Sequence, residues 1–104
     1  MTKVYVTGLG IITTLGDSLE SNRNGLKEGR CGIGSLDFFS TKYAGSLLFG
    51  EIKLPNNQLK ELLNVKEAGV SRTSLLALHA FNQAVNNAGL TSKDFSSKDT
   101  ALIC

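Results

Sequence analysis

The stretch that decides the fold of this chain is its start, Lys3-Val4-Tyr5-Val6-Thr7-Gly8-Leu9-Gly10-Ile11-Ile12-Thr13-Thr14-Leu15-Gly16. Two runs rich in β-branched residues flank a pair of glycines, and this pattern predicts a buried strand with a close-packed kink over residues 3–14. A short apolar run at 100–104 predicts a second strand. Strand, helix, strand order at this length implies parallel pairing through a right-handed crossover. The sequence therefore predicts an α/β fold built around residues 3–14.

A first helix is predicted near 17–28. Asp17 or Ser18 can accept hydrogen bonds from the free N–H groups of the first turn, and Glu20 lies three residues after Asp17, in capping-box register. Gly29 supplies the left-handed residue with which helices often end. The helix predicted near 17–28 has a low apolar content, which is typical of a surface helix.

A second, longer helix is predicted over 71–88, with Gly89 as its stop. Apolar residues recur in it at spacings of three and four and form one stripe. The stripe consists of Ala77, Ala80, Phe81, Ala84, Val85 and Ala88. Because alanine is small, the backbone of this helix can approach a sheet closely.

Three further segments connect these elements. Leu54-Pro55-Asn56-Asn57 followed by leucines at spacings of three and four predicts a short amphipathic helix. Residues 36–49 are dense in aromatic and apolar side chains, which predicts a loop packed onto the core. Residues 91–98 are polar and predict a plain connector.

Composition narrows the function classes. The chain has 104 residues and a net charge of +2, and its 11 Lys and Arg are scattered, so a nucleic-acid-binding stripe is not supported. No apolar run approaches the roughly 20 residues of a membrane span, and the start lacks a signal-peptide pattern, so we expect a cytoplasmic protein. Cys31 and Cys104 are isolated, without ligands at metal-binding spacing, so we expect no metal site.

The glycines of the first stretch permit a second interpretation. Gly8-x-Gly10-x-x-Thr13 after a strand is similar in part to a dinucleotide-binding motif. That interpretation requires a helix directly after Gly10, whereas the capping residues place the helix start near Asp17. We therefore expect these glycines to serve packing.

Several single residues also permit both a functional and a structural interpretation. Cys31 could be a nucleophile, but no His or Asn stands near it in sequence, and a small buried cysteine in a glycine-flanked turn is more often a packing residue. His79 lies on the polar side of the long helix, where a solvated or hydrogen-bonded histidine is more common than a catalytic base. Lys60, Lys66 and Arg72 could meet an acidic partner, although scattered surface charges are the usual explanation.

Four blocks of sequence together resemble the N-terminal part of a β-ketoacyl-[acyl-carrier-protein] synthase. They are residues 6–16 (Val-Thr-Gly-Leu-Gly-Ile-Ile-Thr-Thr-Leu-Gly), 30–34 (Arg-Cys-Gly-Ile-Gly), 71–78 and 83–90 (Gln-Ala-Val-Asn-Asn-Ala-Gly-Leu). The resemblance implies that 1–104 is the incomplete N-terminal part of a thiolase-like domain with a five-layered αβαβα fold. It covers the opening quarter of the family's length.

The same resemblance implies acyl transfer by covalent catalysis, in which a cysteine takes an acyl group from a carrier protein and condenses it with malonyl-carrier protein. The family's nucleophile and its two histidines fall beyond residue 104, so no catalytic residue is assigned, and we expect the fragment alone to be inactive and marginally stable. No cofactor is implied. The expected partners are an acyl carrier protein, docked through Lys66 and Arg72 near the start of the long helix, and a second copy of the full-length enzyme. Neither a nucleic acid nor a membrane is an expected partner.

Two other classes stay open at this point. One is a non-catalytic ketosynthase-like partner subunit of the chain-length-factor type, which residues 1–104 do not distinguish from the enzyme. The other is a stand-alone nucleotide-binding domain.

Overall fold

A computed structural model describes residues 2–103, which contain four helices joined by long irregular segments. The helices are α1 (Leu19–Lys27), α2 (Asn56–Leu62), α3 (Arg72–Ala88) and α4 (Ser92–Phe95). The predicted helices near 17–28 and 71–88 are confirmed, as is the short helix after Pro55. None of the helices in this part of the chain combines the length and apolar content needed to cross a membrane.

Helix α1 begins with a capping box, one residue later than the sequence pattern placed it. The Ser18 side chain accepts from the Ser21 N–H at 3.2 Å, and the Ser21 hydroxyl accepts from the Ser18 N–H at 3.0 Å. The predicted box of Asp17 and Glu20 is therefore wrong, because Ser18 has the extended backbone of an N-cap. Gly29, with φ 66°, follows the helix in the left-handed conformation that the sequence predicted.

Helix α3 is the longest element and carries the core. Ser71 caps its start, and Gly89, with φ 67°, ends it as predicted. Helices α2 and α3 pack against each other, and the fully buried apolar side chains of residues 2–103 are Leu59 on α2 and Leu75 on α3. A core of this size is small for about a hundred residues.

The prediction of paired parallel strands at 3–14 and 100–104 is wrong for the described residues, and Cys104 lies outside them. Within 2–103 only isolated bridges occur, such as Thr13 with Gly16. A strand requires a neighbour for its backbone groups, and the first segment finds side chains of α3 instead. The Leu9 N–H donates to Asn87 Oδ1 at 3.0 Å, and the Ile11 N–H donates to Gln83 Oε1 at 3.4 Å.

The two glycines of the first segment cross α3 at backbone contact distance. A Cβ atom at Gly8 would collide with the carbonyl oxygen of Ala84, and one at Gly10 would collide with the carbonyl oxygen of Ala80. The predicted close approach to the alanine stripe is therefore confirmed, although the approaching partner is an irregular segment and not a sheet. The burial of the stripe is incomplete, since its member Phe81 is 39% exposed.

Two connecting segments differ from their predictions. The loop over residues 36–49 does not pack onto a core: Phe39 is 67% exposed and Leu48 is 75% exposed. Main-chain hydrogen bonds between Gly34 and Phe49 hold its two ends together, but within residues 2–103 no helix or sheet covers its exposed apolar side chains.

The predicted plain connector at 91–98 contains α4, because the Thr91 N–H and hydroxyl both donate to the Asp94 carboxylate and so cap a helical turn.

The crossing predicts a strong effect of one added methyl group. Gly10→Ala is expected to lower the free energy of unfolding by about 1–3 kcal/mol or to prevent folding, because the clash is with a backbone carbonyl that cannot rotate away. Urea denaturation followed by circular dichroism measures the change.

The matched control for this substitution is Gly34→Ala. A Cβ atom at Gly34 meets nothing within 4 Å, so the free energy of unfolding should change by no more than about 0.5 kcal/mol. Equal effects of the two substitutions would contradict the crossing as the origin of the loss. Ala80→Gly should not rescue Gly10→Ala, because the obstructing atom is the carbonyl oxygen.

Candidate functional site

The loop between α2 and α3 carries Lys66, the first of the two residues assigned to carrier docking. The loop spans residues 63–71 and turns through left-handed positions at Asn64 (φ 52°) and Gly69 (φ 78°). The Lys66 side chain is exposed, and its ammonium forms no hydrogen bond or ion pair with residues 2–103. Its own N–H donates to the Glu67 carboxylate at 3.1 Å. The loop therefore presents an available positive charge to solvent.

Arg72, the second assigned residue, is placed differently. Nη1 donates to the Leu54 carbonyl at 2.9 Å and to Asn56 Oδ1 at 2.7 Å, and Nη2 donates to the Ile52 carbonyl at 2.7 Å. The guanidinium also lies 5.8 Å from the centroid of the Phe38 ring, within cation–π distance. The structure thus places Arg72 at the first residue of α3 with both terminal nitrogens bonded to the segment that leads into α2.

A buried carboxylate, Glu51, organises the same region. It is 9% exposed and accepts hydrogen bonds from the Asp37 N–H at 2.7 Å, the Phe38 N–H at 3.0 Å and Lys53 Nζ at 2.8 Å. Lys53 Nζ further donates to the Ser35 carbonyl at 2.6 Å and to Asp37 Oδ2 at 2.7 Å. These bonds fix the start of the loop at residues 36–49, called the aromatic loop below. The Phe38 ring, over which Arg72 lies, belongs to this start.

The hydrogen bond from Lys53 is the main cause that lowers the pKa of the Glu51 carboxyl from 4.5 to about 2. It acts with the two backbone N–H donors against the desolvation of the buried group, which by itself raises the pKa. The carboxylates of Asp37 and Glu51 in turn raise the pKa of Lys53. Glu51 is therefore an ionised structural anchor at neutral pH.

Sequence reasoning missed Glu51 and Lys53. The available signal was weak: the two opposite charges alternate with the apolar Ile52 and Leu54, a spacing that places them on one side of an extended chain. The donors to Glu51 and the acceptors of Lys53 on residues 35–38 lie 13 to 18 positions away in sequence. No local pattern indicates that pairing.

The turn after the first segment borders an open cleft of about 220 Å³. Residues 13–17 line one side and 52–54 the other. Buried Asn22 holds the turn, because its Nδ2 donates to the carbonyls of Gly16 and Ser18 at 2.8 Å each and its Oδ1 accepts from the Thr13 hydroxyl. These bonds hold the side of the cleft that residues 13–17 form. On the other side, the Lys53 ammonium already donates to three acceptors.

The nucleotide-binding interpretation is contradicted by the geometry of the glycines. Gly8 and Gly10 lie against the backbone of α3. The helix therefore occupies the space beside these glycines in which a pyrophosphate would have to bind. The next helix begins at Leu19 and not after Gly10. The glycines serve packing, as the sequence analysis expected.

Cys31 and His79 are the remaining candidate side chains. Cys31 is exposed, so its interpretation as a packing residue is wrong: Gly32, and not Cys31, makes the close contact, against Thr14. The His79 ring nitrogen Nε2 lies 2.8 Å from the Asp17 carbonyl, which confirms the hydrogen-bonded interpretation. Within 2–103, no three His, Cys, Asp or Glu side chains lie close enough together to hold a metal ion.

Comparison with known proteins gives the class. The family described as beta-ketoacyl synthase, N-terminal domain, matches residues 1–104, so the chain belongs to the β-ketoacyl synthase family. This membership implies a thiolase-like fold, of which residues 2–103 show helices and isolated bridges.

Curated relatives agree with this family. The chain is 33% identical over 102 residues to 3-oxoacyl-[acyl-carrier-protein] synthase 2 of Synechocystis sp., covering 97% of this chain and 24% of that protein. It is 30% identical over 91 residues to 3-oxoacyl-[acyl-carrier-protein] synthase 1 of Escherichia coli strain K12, covering 88% of this chain and 22% of that protein. The chain thus spans about a quarter of the length of the relatives it matches. No solved structure matches it.

The buried carboxylate predicts a specific pH dependence. The Glu51 pKa is lower in the folded chain than its ordinary value of 4.5, so the unfolded chain takes up the proton first as the pH falls. The stabilisation is complete above pH 4.5 and is lost between pH 4.5 and about 2. Glu51→Gln should be less stable at pH 7 and should lose less stability than the wild type across that interval, as measured by urea midpoints at a series of pH values.

Glu61→Gln is the control for this titration, because Glu61 is exposed on α2 and its carboxylate accepts no hydrogen bond within 2–103. Its stability curve should run parallel to that of the wild type. The low pKa of Asp94, caused by the Thr91 N–H and hydroxyl, contributes equally to all three proteins. Parallel curves for wild type and Glu51→Gln would refute the assigned role of Glu51.

Proposed function

We propose that this chain is the N-terminal segment of a 3-oxoacyl-[acyl-carrier-protein] synthase, a cytoplasmic, homodimeric condensing enzyme that joins an acyl group to malonyl-carrier protein. The observation that carries the proposal is the family match over residues 1–104. The relatives named as such synthases agree with it over nearly the whole chain.

In this proposal residues 2–103 supply scaffold and not the reacting groups. Covalent acyl transfer needs a thiolate with a nearby base or helix N-terminus and donors aimed at the thioester oxygen. Cys31 is exposed in an irregular segment outside the helices, and His79 is bonded to a main-chain carbonyl. The nucleophile is therefore assigned to sequence beyond residue 104, and the segment alone is proposed to be inactive.

The segment also supplies the docking site for the carrier protein, through Lys66 and Arg72. Acyl carrier proteins are the acidic partners that the family resemblance implies, and a basic residue at an exposed loop favours encounter with an acidic surface. Lys66 supports the proposal by its exposure and its available ammonium. Arg72 supports it by its position at the start of α3, six residues further on.

The proposed activity is tested by covalent loading. The full-length product of the open reading frame is incubated with acyl-carrier protein, and its intact mass is measured before and after treatment with hydroxylamine. A gain equal to the acyl group, removed by hydroxylamine, is expected because a thioester forms on the nucleophilic cysteine. A full-length protein that gains no acyl group and acts only in complex with a second ketosynthase would favour the non-catalytic partner subunit instead.

The proposed docking site is tested by charge reversal in the full-length enzyme. Lys66→Glu, alone or with Arg72→Glu, should weaken binding of the acyl carrier protein by roughly two- to tenfold, because the change at Lys66 replaces attraction by repulsion at an exposed residue. Fluorescence anisotropy with labelled carrier protein measures the dissociation constant at low ionic strength.

Lys98→Glu serves as the matched control, since it makes the same charge change at another exposed lysine. Its dissociation constant should stay near that of the wild type. A double reversal of Lys66 and Arg72 that leaves carrier binding unchanged would exclude docking through this segment.

A further inference from the structure

Arg72 joins three parts of the chain that are distant in sequence. It is the first residue of α3, its hydrogen-bond acceptors lie on residues 52–56, and its guanidinium lies over the Phe38 ring at cation–π distance. The backbone N–H of Phe38 in turn donates to the buried Glu51 carboxylate. One guanidinium thus holds the start of α3, the entry to α2 and the start of the aromatic loop together.

The bond to Asn56 closes a ring of chain around the docking loop. Asn56 is the first residue of α2 and Arg72 the first of α3, and their side chains meet at 2.7 Å. Everything between them, including the loop 63–71, is therefore held at both ends. Inside the ring Lys60 Nζ donates to the Glu67 carbonyl at 3.2 Å, which fixes the loop beside Lys66. Tying the ends of a flexible loop reduces the conformations open to it.

Three of the five N–H donors of Arg72 are committed within the chain. Nη1 donates to two acceptors and Nη2 to one, at 2.7–2.9 Å, and the guanidinium carbon lies 5.8 Å from the centroid of the Phe38 ring. To bind an anionic partner end-on through both terminal nitrogens, the side chain would have to give up bonds to residues 52–56. Lys66, in contrast, has no side-chain hydrogen bond or ion pair within residues 2–103 that it would have to give up.

We infer that Arg72 is a positioning residue for carrier docking and not a contact residue: it acts as a clasp that orders the loop 63–71 so that Lys66 meets the carrier protein. The inference rests on the proposed function. It divides the two basic residues by role, with charge recognition assigned to Lys66 and loop geometry to Arg72.

The test uses steady-state kinetics of the full-length enzyme with acyl carrier protein as the varied substrate, over a series of salt concentrations. Arg72→Lys keeps the charge but loses the fork that reaches Ile52 and Asn56 at once. It should raise KM for the carrier by roughly three- to tenfold with kcat near the wild-type value. Arg72→Gln should raise KM similarly and keep the wild-type salt dependence of KM, whereas Lys66→Gln should weaken that salt dependence.

Asn56→Ala keeps the test decisive if the Arg72 variants fold poorly. It removes one acceptor of the clasp at an exposed position, leaves both positive charges intact, and should raise KM for the carrier in the same direction as Arg72→Lys. Thermal unfolding midpoints confirm that each variant is folded.

Three results would overturn the positioning role: a wild-type KM for Arg72→Lys, a wild-type KM for Asn56→Ala, or a salt dependence for Arg72→Gln weakened as in Lys66→Gln. Failure of the proposed docking itself looks different. In that case KM for the carrier is insensitive both to ionic strength and to Lys66→Gln.

Discussion

The close crossing of the Gly8–Gly10 backbone over α3 is the constraint on which the rest of the structure depends. Without side chains at these positions, the first segment lies on the carbonyl groups of Ala80 and Ala84, and its N–H groups reach Asn87 and Gln83. The turn that follows is held by the same helix, since His79 and Gln83 both bond the Asp17 carbonyl. A helix that carries small residues on one side can accept a bare backbone in this way, and the long helix then serves as the support of the whole segment.

Polar interactions, and not apolar burial, order the other half of the chain. Among residues 2–103 the fully buried apolar side chains are Leu59 on α2 and Leu75 on α3, while the aromatic loop leaves large side chains exposed. Glu51, Lys53 and Arg72 compensate by satisfying main-chain groups of irregular segments that have no ladder of their own. Because each of these charged groups has several partners at short distance, the segments around them take one arrangement despite their lack of regular structure.

This division has a functional counterpart in the proposed enzyme. The glycine crossing is scaffold, whereas the clasp of Arg72 lies beside the exposed loop that carries Lys66. A transient partner binds more readily to an exposed charge on an ordered loop, since less conformational freedom is lost on binding. The family's chemistry is proposed to lie elsewhere in a protein about four times as long as the segment matched here.

The sequence by itself determined helices α1, α2 and α3 and the stop residues after α1 and α3, since Gly29 and Gly89 act through neighbouring residues. It also determined the family, through the blocks around Gly8 and Gly89. It also indicated close packing at the alanine stripe. The tertiary structure alone decided what the first segment packs against, because a strand is defined by a partner that local pattern does not name. It likewise decided the bonds of Glu51 to residues 37–38 and those of Arg72 to residues 52–56, since these partners lie 13 to 20 positions away and are brought near only by the folded chain. Neighbouring residues are enough to set the geometry of a helix end. A buried charge, in contrast, is stabilised only by the hydrogen-bonding groups that the fold places beside it, and these can be distant in sequence.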